Sequence, residues 1–158
     1  MALAPFWGLY LCSSGKERLV LFERLMVPVD LAHAESLQKS LSVAGEIARS
    51  SGASIAYVGV SSSAPGAVAH NPQEFSHKLE NLAKAQGAAH GQPVEAHPMI
   101  VHDPAADLEE ALLRAADETG ADLIVMASHI PGPGHKVILS NGGRVARDAS
   151  ASVLLVRG

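Results

Sequence analysis

Two stretches of this chain combine residue types that can hold a polar, charged ligand. The first ends at Asp30, directly after the apolar run Leu25, Met26, Val27, Pro28, Val29. A carboxylate at the carboxyl end of a strand faces the crevice of a parallel sheet, where ligands are met. The same residue also suits the N-cap of a following helix, and both readings stand on the sequence alone. The second stretch starts with the apolar residues 123–127 and runs through Ser128 and His129 into a loop rich in Gly and Pro, then to Ser140, Asn141, Gly142 and Gly143. A strand passing through small residues into a helix start gathers backbone N–H groups at the positive helix end, which makes an anion pocket. Between His129 and Arg147 the cations Lys136, Arg144 and Arg147 occur without a carboxylate, in a chain of net charge −4. That local reversal of charge suits a phosphate-bearing ligand. An ordinary solvated loop explains the same composition equally well.

Several elements must position these residues. Residues 22–29 read as a first strand. A helix follows, with Leu37, Leu41, Ala44, Ile47 and Ala48 on one face, and Gly52 stops it. Residues 54–60 form a second strand and 61–69 a small, polar loop. Asn71, Pro72 and Glu74 give a cap, a first-turn proline and a reciprocal cap to a helix whose buried stripe is Phe75, Leu79 and Leu82. A third strand, 94–101, carries Pro98 and therefore belongs at an edge. Asp103-Pro104 is expected to cap the next helix, with Leu108, Ala111, Leu112 and Ala115 inward, Glu110 and Arg114 outward, and Gly120 at its end. The strand 123–127, a short helix opened by Ser140 and Asn141, and a last buried strand, 153–156, complete the chain. Strands alternating with helices imply an α/β fold with a parallel sheet covered on both faces, and a crevice where the strand order reverses.

A length of 158 residues suits one domain with a sizeable core. The net negative charge argues against general nucleic-acid binding, which needs a continuous basic face. Cys12 is the single cysteine, which rules out an intrachain disulfide and a Cys-based zinc site and points to a reducing, cytoplasmic setting. Residues 1–12 are apolar, yet no Lys or Arg precedes the run, it is too short to span a bilayer, and Leu11 is bulky where a lipoprotein cleavage site wants a small residue. The expectation is neither a secretion signal nor a membrane anchor. The eight histidines lack the one-turn pairing of a helical metal site. Ser128 and His129, adjacent at a strand end, point to opposite faces and cannot bond each other as a nucleophile pair. No Gly-x-Ser-x-Gly elbow or Walker loop occurs, so the chain does not read as an enzyme.

Three stretches, in this order and spacing, resemble the universal stress protein family: Met26-Val-Pro-Val-Asp30, Gly120-Ala-Asp-Leu-Ile-Val-Met-Ala-Ser-His129, and Ser140-Asn-Gly-Gly-Arg-Val-Ala-Arg147 running into Ser152-Val-Leu-Leu-Val-Arg157. The resemblance covers 22–157. It implies a doubly wound, five-stranded parallel sheet of order 3-2-1-4-5 with helices on both faces, in a domain of residues 21–158. Residues 1–20 then form an extension expected to be disordered. It further implies binding of ATP or a related adenine nucleotide by a stress-responsive regulator. Asp30 would meet the ribose hydroxyls, Val60 and Met126 would flank the adenine, and Pro28 would shape that wall. Ala127, His129, Ser140 and Asn141 would supply donors to the phosphates. The resemblance also implies a homodimer paired through Ser152–Arg157. Nucleotide-binding members carry a Gly-x-x-Gly, spacer, Gly-Ser/Thr motif, whereas this chain has Ala127, Ser128, His129 and Ile130 at the first part and Leu139 before Ser140. Pro131 and Pro133 remove two N–H donors from the loop. A second reading follows: a dimeric interaction module of the same family that has lost its nucleotide.

Overall fold

The computed structural model describes residues 21–128 and 137–157, with the backbone alone for 137–142. The extension 1–20 therefore lies outside the described residues. In chain order the elements are β1 (Arg24–Pro28), a 3-10 helix (Leu31–Leu37), α1 (Gln38–Ser51), β2 (Ser54–Ser62), α2 (Pro72–His90), β3 (Val94–Val101), α3 (Leu108–Thr119), β4 (Leu123–Ser128), α4 (Val137–Asp148) and β5 (Ser152–Arg157). All strand pairs are parallel, in the order β3-β2-β1-β4-β5. The direction of winding reverses between β1 and β4, which are neighbours in the sheet but far apart in sequence.

Alternation along the strands sends successive side chains to opposite faces, and both faces are buried. Leu25, Val27 and Val29 of the first strand segment, Ile55 and Tyr57 of β2, and Leu123 and Val125 of β4 pack against Leu41, Ala44 and Ala48 of α1 and Leu79 and Ala83 of α2. Met26, Val58, Met99, Ile124 and Met126 turn the other way, against Ala111, Leu112, Ala115 and Ala116 of α3 and Val145 of α4. Each large side chain so buried contributes about 1.5–3 kcal/mol relative to exposure. Continuous apolar runs are therefore required in the central strands. Small residues on the helices let them approach closely: a Cβ built on Gly45 of α1 would lie 2.4 Å from the ring of His90, at the end of α2.

The helix stops expected at Gly52 and Gly120 are present as left-handed caps, with φ of 77° and 65°. Pro98 stands on the edge strand β3, paired with Gly59 on its inner side. Two helix starts differ from expectation. Asp103 caps a separate turn, its Oδ1 accepting from the N–H groups of Ala105 and Ala106 at 2.9 and 3.3 Å, and α3 begins only at Leu108. Asp107 in turn accepts from the Asp103 N–H at 3.0 Å, so both carboxylates close that turn, through the N–H groups of Asp103, Ala105 and Ala106. Helix α4 begins at Val137, which places Ser140 and Asn141 within the helix and not at its opening. Glu110 and Arg114 are exposed, as expected, and Arg114 pairs with Glu118 at 3.6 Å. Leu82 and Ile47, expected inward, pack half-buried against the core, and Ala83 and Ser40 are buried as well.

Candidate ligand-binding site

The site begins with how β1 and β4 meet. At the N-terminal end of the sheet the carboxylate of Asp122 accepts from the N–H groups of Glu23 and Arg24, at 2.8 and 3.0 Å, and fastens the entry of β4 to that of β1. The β1–β4 ladder then pairs Leu25 with Leu123 and Met26 with Ile124. Beyond that point β1 stays with β2: Pro28 is in register with Val58, and the Val29 N–H donates to the Val58 carbonyl at 2.7 Å. The two strands are thus tied at one end and unpaired at the other, and the unpaired end is the carboxyl end. In a parallel sheet such a switch point, where no crossover connects neighbouring strands, is where a ligand crevice is expected.

Asp30 stands just past the carboxyl end of β1, with its side chain 59% exposed. Its Oδ1 accepts from the Ala32 N–H at 2.9 Å, so it caps the 3-10 helix as the cap reading of the sequence requires. Its Oδ2 lies 2.8 Å from Nδ1 of His33. An ionised carboxylate has about four acceptor sites. Two are taken by these partners, and one on each oxygen remains for a pair of hydroxyls. Cap and ligand contact are therefore compatible roles for one residue.

Asp30 and Val60 line one cleft of about 170 Å³, together with Ser61, Ser62, Phe75 and the loop that follows β2. Ligand pockets are more often roughly 300–1,000 Å³, so this cleft fits a fragment the size of a sugar or a base. Ser61 and Ser62 belong to the cleft wall, although in the sequence 61–69 reads only as a loop. The signal available was the run of three serines after an apolar strand. Pro28, at the end of β1, is half-buried and is not among the residues lining this cleft. Met126 is 7% exposed and packs within the core on the α3–α4 face. Ala127, half-buried, points to the opposite face. The structure thus brings Asp30 and Val60 into one cleft, sets Pro28, Met126 and Ala127 at the ends of the two strands that part, and leaves Met126 mostly inside the core. His129 lies outside the described residues, as do the side chains of Ser140 and Asn141; their backbone belongs to the first part of α4.

The cationic stretch resolves differently from its reading as a phosphate-facing set. Arg144 pairs with Glu109 of α3 at 3.3 Å, and Arg147 makes two 2.7 Å contacts with Asp148. The Arg147 pKa is raised and that of Asp148 lowered, each chiefly by their mutual hydrogen bonds. Both arginines are committed to carboxylates supplied by α3 and by the residue just past the window. Lys136 lies outside the described residues. Among the described residues no group of three or more His, Cys, Asp or Glu is placed to hold a metal ion. No helix among them is long and apolar enough to cross a membrane.

These features define a doubly wound α/β protein with a topological switch point between β1 and β4 and a carboxylate just past the carboxyl end of β1. The chain belongs to the universal stress protein family, whose model matches residues 21–157. A comparison with curated proteins gives no significant match. Among solved structures, a universal stress protein from Archaeoglobus fulgidus is similar at a TM-score of 0.63 and 21% identity, over 85% of this chain and 98% of that one. A universal stress protein in complex with cAMP gives 0.60 and 23%, over 86% and 97%. The Archaeoglobus fulgidus universal stress protein in complex with dAMP gives 0.58 and 20%, over 85% and 98%. At these identities the likeness establishes the fold.

Proposed function

We propose that this protein binds an adenine nucleotide at the carboxyl ends of its strands, with the nucleoside in the cleft that Asp30 and Val60 line, and acts as a stress-responsive regulator, not as an enzyme. The observation that carries the reading is the cleft carboxylate. Asp30 keeps a free acceptor site on each oxygen, at the mouth of a cleft whose other wall is apolar at Val60. That is the donor–acceptor pattern a ribose with an attached base demands. Support comes also from the two related structures described with cAMP and with dAMP. These favour an adenine mononucleotide unit in general, with ATP as one form of it. In this reading Pro28, Asp30, Val60 and Met126 take the nucleoside, and Ala127, His129, Ser140 and Asn141 take the phosphates.

The competing reading, a dimeric interaction module without a ligand, is favoured by one observation: Arg144 and Arg147 are both consumed by carboxylates. Isothermal titration of the purified protein with ATP, AMP and cAMP separates the two. Saturable heat at micromolar concentrations supports the nucleotide reading, and no heat at high micromolar concentrations of all three refutes it.

A further inference from the structure

The loop after β2 supplies Ala64, Gly66, Ala67, Val68 and Ala69 to the wall of the cleft. These side chains are too small to anchor the loop by burial; among them Ala69 alone is buried. Within the loop the Gly66 N–H donates to the Ala69 carbonyl at 2.8 Å. At its start the Ser62 hydroxyl donates to the Ala64 carbonyl at 3.3 Å, and at its end a further attachment comes from the exposed surface of α2. One oxygen of Glu74 accepts from the His70 N–H at 2.8 Å and meets His70 Nδ1 at 3.0 Å. The other oxygen pairs with Lys78 Nζ at 2.7 Å. Lys78 in turn donates to the Val68 carbonyl. Asn71, the helix cap, accepts from the Glu74 N–H at 2.8 Å and sets where the carboxylate stands.

By spacing alone Glu74 and Lys78 are an i,i+4 surface pair of the kind that contributes little. Their contacts are not confined to each other: the ammonium grips the loop backbone before Ala69 and the carboxylate grips it after. We propose that Glu74 and Lys78 are positioning residues that clamp 68–70 and so hold the wall of the nucleoside cleft, setting the affinity of a site that neither residue touches. This rests on the reading of the cleft as a nucleoside site. The Glu74 carboxyl is held down to about 2, first by the Lys78 hydrogen bond and then by His70, so the clamp stays charged at neutral pH.

If the loop must be in place before ligand binds, releasing the clamp divides affinity by the fraction of molecules still competent. That factor is the same for every ligand sharing the nucleoside, whatever its phosphates. The test measures backbone hydrogen exchange across 64–70, together with adenosine and ATP affinity, in the wild type and in Lys78→Met, Glu74→Gln and Lys78→Arg. Methionine retains helix propensity at an exposed site, so the fold should persist. Lys78→Met and Glu74→Gln are expected to speed exchange in 64–70 and to weaken adenosine and ATP by the same factor, about fivefold for loss of an exposed charged tie. Lys78→Arg, which keeps a donor for the Val68 carbonyl, should restore both. Unchanged exchange in Lys78→Met overturns the clamp, and so does a loss of ATP affinity without loss of adenosine affinity. A wild-type protein that binds neither ligand refutes the nucleotide reading and the affinity half of this proposal, while exchange alone still decides whether the clamp exists.

Discussion

Asp30 does two jobs in this reading, and two substitutions separate them. Its Oδ1 caps the 3-10 helix through the Ala32 N–H, and its charge is assigned to the ligand hydroxyls. Replacement by Ala removes both. A lost cap costs about 0.5–2 kcal/mol of stability, and 59% exposure with a backbone donor near solvent puts this site at the lower end, near 1 kcal/mol. Replacement by Asn keeps a carbonyl oxygen for Ala32, because Asn and Asp are equally good caps, so stability should change by only a few tenths of a kcal/mol. The effect on ligand is different. A hydrogen bond to a charged acceptor is worth about 1.5–3 kcal/mol and one to a neutral acceptor about 0.5–1.5. Taking the partly exposed geometry into account, Asp30→Asn should lose about 1 kcal/mol, or fivefold, in nucleotide affinity, and Asp30→Ala about 2 kcal/mol, or thirtyfold. Urea denaturation reads the first quantity and calorimetric titration the second. The reasoning is refuted if Asp30→Asn binds as tightly as the wild type. It is equally refuted if Asp30→Ala loses affinity only in proportion to a general loss of folded protein. In either case the carboxylate is a helix cap and nothing more.

Three other expectations concern the frame around the site. Glu74 has a folded-state pKa near 2 against an ordinary 4.5, so its contribution is fully present above pH 4.5 and fades as pH falls from 4.5 to 2; a carboxyl NMR titration with a midpoint at 4.5 would remove this assignment. Tyr57 is wholly buried, its phenol pKa is pushed up to about 12 by burial, and its hydroxyl has no hydrogen-bond partner among the described residues. Tyr57→Phe should therefore be neutral or stabilise by up to ~1 kcal/mol in thermal denaturation, and a loss above 1 kcal/mol would reveal a partner for that hydroxyl. The edge strand β5 leaves Leu154 and Leu155 more than a third exposed, on opposite faces. We propose that it pairs with its counterpart in a second copy; Leu154→Lys should then shift sedimentation from dimer to monomer, and a wild type that sediments as a monomer at micromolar concentrations would refute the pairing.

Much of the architecture is legible in the chain because it depends on local signals. The alternation of apolar strands with amphipathic helices, the caps at Asn71 and Gly120, and Pro98 on an edge strand each follow from the residue and its near neighbours. The errors arise where two caps compete over a few residues. Asp103 and Asp107 both offer a carboxylate, and the turn between them satisfies both, so α3 starts later than the first Asp-Pro suggests. A window without carboxylates in sequence is not one in space: Glu109, from α3, reaches Arg144.

What the sequence settles by itself is the α/β class, the parallel sheet and the presence of a carboxylate at the end of the first strand, because periodicity and turn chemistry act over a few residues. That Asp30 and Val60 share a cleft, that β1 parts from β4 after Met26, and that Glu74 and Lys78 grip the loop opposite are decided only by tertiary structure. Each of these joins residues from separate elements, and the distance between such residues is set by packing across the sheet, which no local pattern encodes.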